Sequence, residues 1–286
     1  MKAGGSLRKY AILRWEAGKF SSPRQDQLAC EEPLEIRLCW GPLEESQTQT
    51  AITTLRMPGM DYELALGWLF GEGLIQTHSD VVKMTYCLGK NRAEQQYNIL
   101  LVRLKPGLTP DLSKLERQNV SHGGCGLCGK QEITSLKQVL QPDMTATEPR
   151  LDPAILAQLQ ALAQPEQKAF AKTGGVHAAA LFSPQGQLLH LHEDVGRHNA
   201  VDKVIGAALM LGQLPLNRQI LFLSGRAGFE LVQKALMASI PVIVSVGAPT
   251  SLALELARSY EQTLIGFTKS ERFNLYSGTQ RFKQFS

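Results

Sequence analysis

The stretch ILFLSGRAGFELVQKALMASIPVIVSVGAPTSLALELARSYEQTLIGF, residues 220–267, carries the reading of the fold. It divides into a short buried strand at 220–223, a helix at 229–238, a strand at 241–246, a helix at 249–260 and a strand at 263–267. Strands this short and this apolar are buried on both faces. Alternation of strand and helix implies parallel pairing with right-handed crossovers, hence a layered α/β unit. Working upstream, 176–182 and 187–192 read as a strand pair around a Ser-Pro-Gln-Gly turn, 197–211 as an amphipathic helix and 153–171 as a longer helix.

The first half has a different character. Residues 35–40 and 51–57 are alternating, β-rich strands around Gly41-Pro42, and a helix starting at Asp61 ends at the glycines 71–73. A second strand pair follows at 81–87 and 97–104, so this half is α+β. The polar stretch with Pro142 and Pro149 marks the boundary. The expected organisation is a basic tail (1–24), a smaller N-terminal α+β domain (25–145) ending in a cysteine loop (117–130), and an α/β domain (150–286).

The chain has 286 residues, 43% hydrophobic and 20% charged, which excludes disorder and collagen and gives about two domains at ~150 residues each. The formal charge of +4 is uneven. Lys2, Arg8, Lys9, Arg14, Lys19 and Arg24 face only Glu16 in the first 24 residues, and Lys269, Arg272, Arg281 and Lys283 face only Glu271 at the other end. The interior is acidic. No RNA- or DNA-binding signature accompanies the basic ends, so they read as solvated segments and no nucleic-acid partner is expected. The basic N-terminus lacks the apolar core of a secretory signal, and no run approaches the ~18 apolar residues of a membrane span. Five cysteines are too few and too uneven for a disulfide framework. The expected setting is the cytoplasm, with no membrane association.

Two stretches concentrate chemistry. In Gly123-Gly124-Cys125-Gly126-Leu127-Cys128-Gly129, four of seven residues are glycine and two are thiols, with His122 placed to favour a thiolate. Three chemistries compete for this CxxC. Zinc needs two further ligands, but Cys30, Cys39 and Cys87 are scattered among strands. A thioredoxin-like motif belongs at a strand-to-helix junction, which this loop does not resemble. A persulfide carrier needs one nucleophilic thiol.

The second stretch, His190 to Lys203 (HLHEDVGRHNAVDK), puts His190 and His192 on one strand face and Glu193 and Asp194 ahead of a helix. Helix capping accounts for the acids. It does not account for Arg197 and His198 at the strand end, where α/β folds place ligands. The turns Ser224-Gly225-Arg226-Ala227-Gly228 and Ser245-Val246-Gly247-Ala248-Pro249-Thr250 offer backbone donors at helix starts, and with Arg226 they suggest a phosphate-bearing ligand.

These segments resemble the FdhD family of formate dehydrogenase accessory sulfurtransferases: GCGLCG at 124–129, GGVHAAALF at 174–182, HEDVGRHNAVDKVIG at 192–206, LSGRAGFELVQKA at 223–235 and IGFTKSERFNLY at 265–276. The resemblance implies that a cysteine desulfurase places sulfur on Cys125, with Cys128 as a supporting thiol. It implies delivery to the molybdenum bis-guanine-dinucleotide cofactor before insertion into formate dehydrogenase, and it suggests a homodimer. The family's cofactor-binding segment maps onto Phe267, Thr268, Lys269, Ser270, Glu271 and Arg272, where Glu271 stands at a position commonly glycine. Arg197, His198, Arg226 and Lys269 are candidates for the diphosphate oxygens, and His177 and Ser224 complete the cofactor-binding set.

The resemblance also implies a cytidine-deaminase-like fold for the second domain. Zinc deaminases require H-x-E and P-C-x-x-C. The corresponding positions read His198-Asn199-Ala200 and Ser224-Gly225-Arg226, so the acid and both thiolates are missing. The pocket is then free for a purine nucleotide such as the guanine end of the cofactor, which a guanine nucleotide would mimic. Two rival readings stay open on the residues alone. One is a zinc hydrolase using His190, His192 and His198 or the CxxC, and the other is a cofactor-binding chaperone whose CxxC is structural.

Overall fold

The computed structural model describes residues 5–87, 97–111, 113 and 140–283. The chain opens with an arm in which β1 (Leu7–Ile12) pairs antiparallel with β4 (Arg24–Ala29). Between them β2 (Trp15–Glu16) and β3 (Lys19–Phe20) pair across Ala17 and Gly18, whose φ angles of 50° and 84° are both left-handed, as a tight hairpin requires. The expected solvated tail is therefore a β-hairpin. Its apolar residues alternate too loosely among Arg and Lys to read as strands, and pairing across the turn is what organises them.

A four-stranded sheet follows, in the order β6 (Gln47–Arg56), β5 (Glu32–Trp40), β8 (Ile99–Leu104), β7 (Val81–Tyr86). Its inward face alternates: Leu34, Ile36, Leu38, Leu100 and Val102 are buried. The helix α1 (Asp61–Gly71) begins where Arg56 grips Asp61 through two bonds of 2.9 and 3.0 Å, and Tyr86 donates to the same carboxylate at 2.8 Å. Of the cysteines expected in strands, Cys39 lies buried in β5, whereas Cys30 is buried in the connection between β4 and β5 and Cys87 is half-buried just past the end of β7.

The helix expected over 153–171 is two helices, α2 (Pro153–Ala163) and α3 (Lys168–Thr173), separated by a 3-10 turn at Gln164–Glu166. Pro165 lacks the N–H that would continue the α-helical ladder. The second sheet has six strands in the order β10 (Leu188–Asp194), β9 (His177–Phe182), β11 (Ile220–Leu223), β12 (Val242–Ser245), β13 (Thr263–Lys269), β14 (Arg272–Ser277). The three central strands β11, β12 and β13 are parallel, and the remaining pairs are antiparallel. The architecture is mixed α/β. Side chains alternate across this sheet: Ala180, Phe182, Ile220 and Phe222 meet Leu156 and Leu159 of α2 on one face. On the other face Ala179, Leu181, Leu221 and Leu223 meet α4 (Arg197–Met210), α5 (Phe229–Met237) and α6 (Ser251–Ser259).

One hydrophobic core runs through both halves of the chain. It is continuous because α1 crosses α4 backbone to backbone. A Cβ on Gly67 would lie 1.8 Å from the Asp202 carbonyl oxygen, and one on Gly206 would lie 1.8 Å from that of Glu63. Lying between this helix and the sheet, α4 is buried almost all round, which corrects its reading as amphipathic. At the far end of the chain Arg281 is fully buried and donates to the carbonyls of Thr145, Glu148 and Glu261. Burial lowers its pKa to about 10. One of the four C-terminal cations is thus a fastener for the 145–148 connection.

Candidate functional site

The C-terminal ends of the parallel strands carry a second tier of structure built from their turns. Val246 and Gly247 donate backbone bonds to Leu223 and Gly225 at 3.0 and 2.9 Å, Thr250 donates to Ala227 at 3.1 Å, and Phe267 donates to Gly247 at 3.2 Å. The Ser224 hydroxyl accepts from Ala178 N at 2.8 Å, and Ser245 Oγ donates to the Gly247 and Ile265 carbonyls, each at 2.9 Å. The glycines permit this stacking. A Cβ at Gly247 would come within 2.9 Å of Arg226 N, and one at Gly266 within 2.8 Å of Pro249.

This qualifies the phosphate-cradle reading of the turns. The N–H groups of Val246, Gly247 and Thr250 are already engaged inside the tier, and Ser224 is a fastener. The tier also presents side chains outward. Arg226 is exposed, and the His177 ring sits over Gly225, 3.2 Å from where a Cβ would stand. Burial lowers the pKa of His177, and the neighbouring Arg197 and His198 lower it further, so the ring is held toward its neutral form.

His198 lies on α4 with its Nε2 2.6 Å from Glu230 Oε2 on α5. The bond from His198 keeps the Glu230 carboxyl below its ordinary pKa. One turn further along the same two helices, Asp202 meets Lys234 at 2.7 Å, with Glu72 at 3.9 Å from the ammonium. Burial raises the Asp202 pKa to about 6, opposed by Lys234. Burial pulls Lys234 downward, but the carboxylates of Asp202 and Glu72 outweigh it and hold the ammonium above its ordinary value. The result is a two-rung ladder between α4 and α5, with its outer rung at the sheet end.

The structure thus gathers His177, Arg197, His198, Ser224 and Arg226 at one end of the sheet. The segment 267–272 divides. Phe267, with a left-handed φ of 54° and 47% exposure, stands beside the tier. Thr268 is fully buried, and its hydroxyl has no hydrogen-bond partner among the described residues. Lys269 and Arg272 are register partners at the β13–β14 tip, with Ser270 and Glu271 forming an exposed turn beyond them. Glu271 has φ of 70°, a left-handed conformation that favours glycine.

The rest of the 190–203 stretch serves structure. His192 is neutral, its pKa lowered to about 4 by burial and by Lys203, and His190 Nε2 lies 2.7 Å from Gln213 Oε1. Glu193 accepts from Ala169 and Phe170 N, both at 2.7 Å, so it caps α3 rather than the helix that follows it. Asp194 accepts from Met57 N and Gly196 N, and Asn199 donates to Leu55 O at 2.8 Å. Among the described residues no three His, Cys, Asp or Glu side chains come together as a metal-ligand set, so the three histidines do not form a zinc site. Glu230 was missed because an acid in a first helical turn reads as ordinary dipole compensation. Only its partner, 32 residues away in sequence, marks it out. Cys125 and Cys128 lie outside the described residues.

Comparison with known proteins adds identity to this geometry. The model of the FdhD/NarQ family matches residues 29–283. The chain belongs to that family. It is 44% identical over 281 residues to the sulfur carrier protein FdhD of Streptomyces avermitilis, covering 97% of this chain and 96% of the relative. It is 42% identical over 267 residues to the sulfur carrier protein FdhD of Mycobacterium tuberculosis, covering 90% and 92%. A formate dehydrogenase accessory protein from Desulfotalea psychrophila shares the fold, with a TM-score of 0.70 at 23% identity over 96% of this chain and 99% of that one. This member of the FdhD/NarQ family keeps its candidate ligand groups on the sheet end, and it keeps its CxxC on a separate segment of chain.

Proposed function

We propose that this protein is a sulfur carrier serving formate dehydrogenase. It receives sulfur from a cysteine desulfurase on Cys125 and passes it to the molybdenum bis-guanine-dinucleotide cofactor held at the sheet end. The observation that carries this reading is 44% identity, over nearly the full length, to a protein named for sulfur carriage. In the first step the Cys125 thiolate attacks the terminal sulfur of the desulfurase persulfide. A new S–S bond forms, the old one breaks, and the desulfurase cysteine leaves as thiolate. Cys128 supports the second transfer.

Arg197, Arg226 and Lys269 supply positive charge for diphosphate oxygens, with His198 beside them as a further candidate contact, and arginine forks match phosphate geometry. Phe267 offers an exposed ring beside them for a base. The six-stranded sheet with helices on both faces accords with descent from a cytidine-deaminase-like fold. His198-Asn199-Ala200 and Ser224-Gly225-Arg226, which the resemblance sets against the deaminase motifs, lie at this same end. The protein acts in the cytoplasm as a homodimer.

Incubation with a cysteine desulfurase and cysteine, followed by peptide mass spectrometry, tests the carrier step. The expected result is one added sulfur atom on the peptide containing residues 125–128, lost in Cys125→Ala. No gain in sulfur overturns the reading. Restoration of formate dehydrogenase activity by Cys125→Ala in a deletion strain would leave only the chaperone.

A further inference from the structure

The arm that opens the chain presents Tyr10, Leu13, Trp15, Phe20 and Leu28 to solvent, with 61% of Trp15 and 66% of Phe20 exposed. The tip is ordered. The Trp15 and Phe20 rings meet edge to face at 5.1 Å, and Ser21 N donates to Arg14 O at 2.7 Å behind them. At the root, Leu7 and Ala29 pack on Met57, Ala169 and Val176, which fixes the direction of the ribbon. A two-stranded ribbon gains little from rings left in water. A pre-ordered pair of aromatic rings is instead the kind of group that anchors an interface, because little freedom is lost when it docks.

Charge singles out the same element. The first 29 residues hold six basic residues against Glu16 and Asp26, which equals the whole formal surplus of +4, so the rest of the chain is balanced. A cleft of about 440 Å³ opens beside the root of the arm, along the free edge of the six-stranded sheet, and Ser6 forms part of its wall. Its apolar lining includes Met57, Pro58, Met60 and Leu189. Of its charged walls, Glu166 pairs with Lys168 at 3.1 Å and Lys203 with Asp194 at 2.7 Å, which leaves Glu193 as the acid without a countercharge among the described residues. The volume suits a small ligand or a pair of aromatic side chains. The chain's own tip does not fill it, since Trp15 and Phe20 are exposed.

We propose that the arm of one copy docks its Trp15–Phe20 tip into this cleft on a second copy, and that the second copy reciprocates about a twofold axis. The inference rests on the two-copy assembly proposed above and assigns its interface. An isologous exchange needs the donor element and its seat to lie close together on each copy, as Ser6 places them. The ribbon from Leu7 to the turn at Ala17 extends roughly 30 Å at about 3.3 Å per residue, enough to cross onto a neighbouring protomer.

Trp40 and Trp68 are 5% and 6% exposed, so Trp15 is the one exposed tryptophan of the three and a direct probe. The experiment follows acrylamide quenching of tryptophan in the full-length protein over a dilution series, alongside sedimentation velocity. The expected result is a dimer in which Trp15 is protected, with quenching rising as dilution yields monomer. Trp15→Ala and Leu189→Arg, both at exposed positions, should each weaken the dimer by about 30-fold or more, and Leu189→Arg should re-expose Trp15. A dimer in which Trp15 stays freely quenched, or one unmoved by both substitutions, overturns the arm-exchange interface while the two-copy assembly stands. A monomer at every concentration overturns both. A tip that binds a different protein or an anionic membrane surface gives freely quenched Trp15 in the pure protein, and so also counts against the inference.

Discussion

Residues 202 and 203 are neighbours on α4, and each enters a buried Lys–Asp pair at 2.7 Å, but the two seams they make are unequal. Lys203 meets Asp194 and also donates to the carbonyls of Met57 and Glu193. Asp194 accepts in addition from Met57 N, Gly196 N and Asn199 Nδ2. Asp202 has Lys234 alone within 3 Å, and burial pushes its pKa up to about 6. A buried charge is tolerated when its remaining hydrogen-bonding capacity is satisfied, and otherwise it shifts toward neutrality. The first seam therefore fastens the two halves of the chain together. The second, one turn behind the His198–Glu230 contact, sits on weaker terms next to the candidate site.

The largest effect should come from breaking the better seam. Asp194→Ala leaves Lys203 buried with its charge uncompensated and frees three donors, a loss of about 3–5 kcal/mol by analogy with other broken buried pairs. Urea unfolding followed by circular dichroism measures it. A loss under 1 kcal/mol would mean the pair is not the fastener. Next is Gly206→Ala, which leaves both pairs chemically intact but forces α1 and α4 apart. Overpacking of this kind costs about 1–3 kcal/mol or more. A new Cβ 1.8 Å from a carbonyl oxygen puts the cost at the upper end of that range, and unchanged stability would contradict the close crossing.

Those two substitutions also mark what the sequence could and could not disclose. Residues 220–267 were legible because each strand is an unbroken apolar run and each helix is punctuated by glycine or proline, features that are local. The meeting of Gly67 with Gly206 is not local, and nothing near either glycine in the chain announces the other. The stretch from His190 to Lys203 was legible as dense in polar groups, yet read as one site. Its partners lie at 54–57, 169–170, 213, 230 and 234, and only the fold reveals that Asp194, Asn199 and Lys203 are fasteners while Arg197 stands at the sheet end beside His198, which meets Glu230. The cysteine loop is the reverse case, where composition flags two thiols among glycines but leaves several chemistries open, and only the resemblance to a family chooses among them.

The weaker seam has its own signature in pH. Asp202 has a folded-state pKa of about 6 against an ordinary 3.8, so between those values the folded protein binds a proton that the unfolded chain releases. Its contribution to stability is present below pH 3.8 and is lost as pH rises toward 6, with a slope of up to about 1.4 kcal/mol per pH unit. Asp202→Asn removes this titration. Measured against wild type between pH 4 and pH 6.5, the difference in stability should move in the variant's favour as pH rises. Parallel curves would show that Asp202 is ionised throughout. Asp194→Asn, treated the same way, provides the contrast between the seams.

The smallest effect isolates the electrostatic part of that difference. Glu72 reaches Lys234 only at 3.9 Å and is 24% exposed, so the pair is partly screened and its removal in Glu72→Gln should cost under about 1 kcal/mol at neutral pH. Glu72 nonetheless raises the Asp202 pKa as a nearby like charge. Its replacement should therefore move the Asp202 transition to lower pH while the midpoint in urea at pH 7 hardly changes. Carbon-13 NMR of labelled aspartate carboxyls reads that pKa directly. A transition left in place would mean that burial and Lys234 set it, and the acid beside Lys234 would then have no part in weakening the seam.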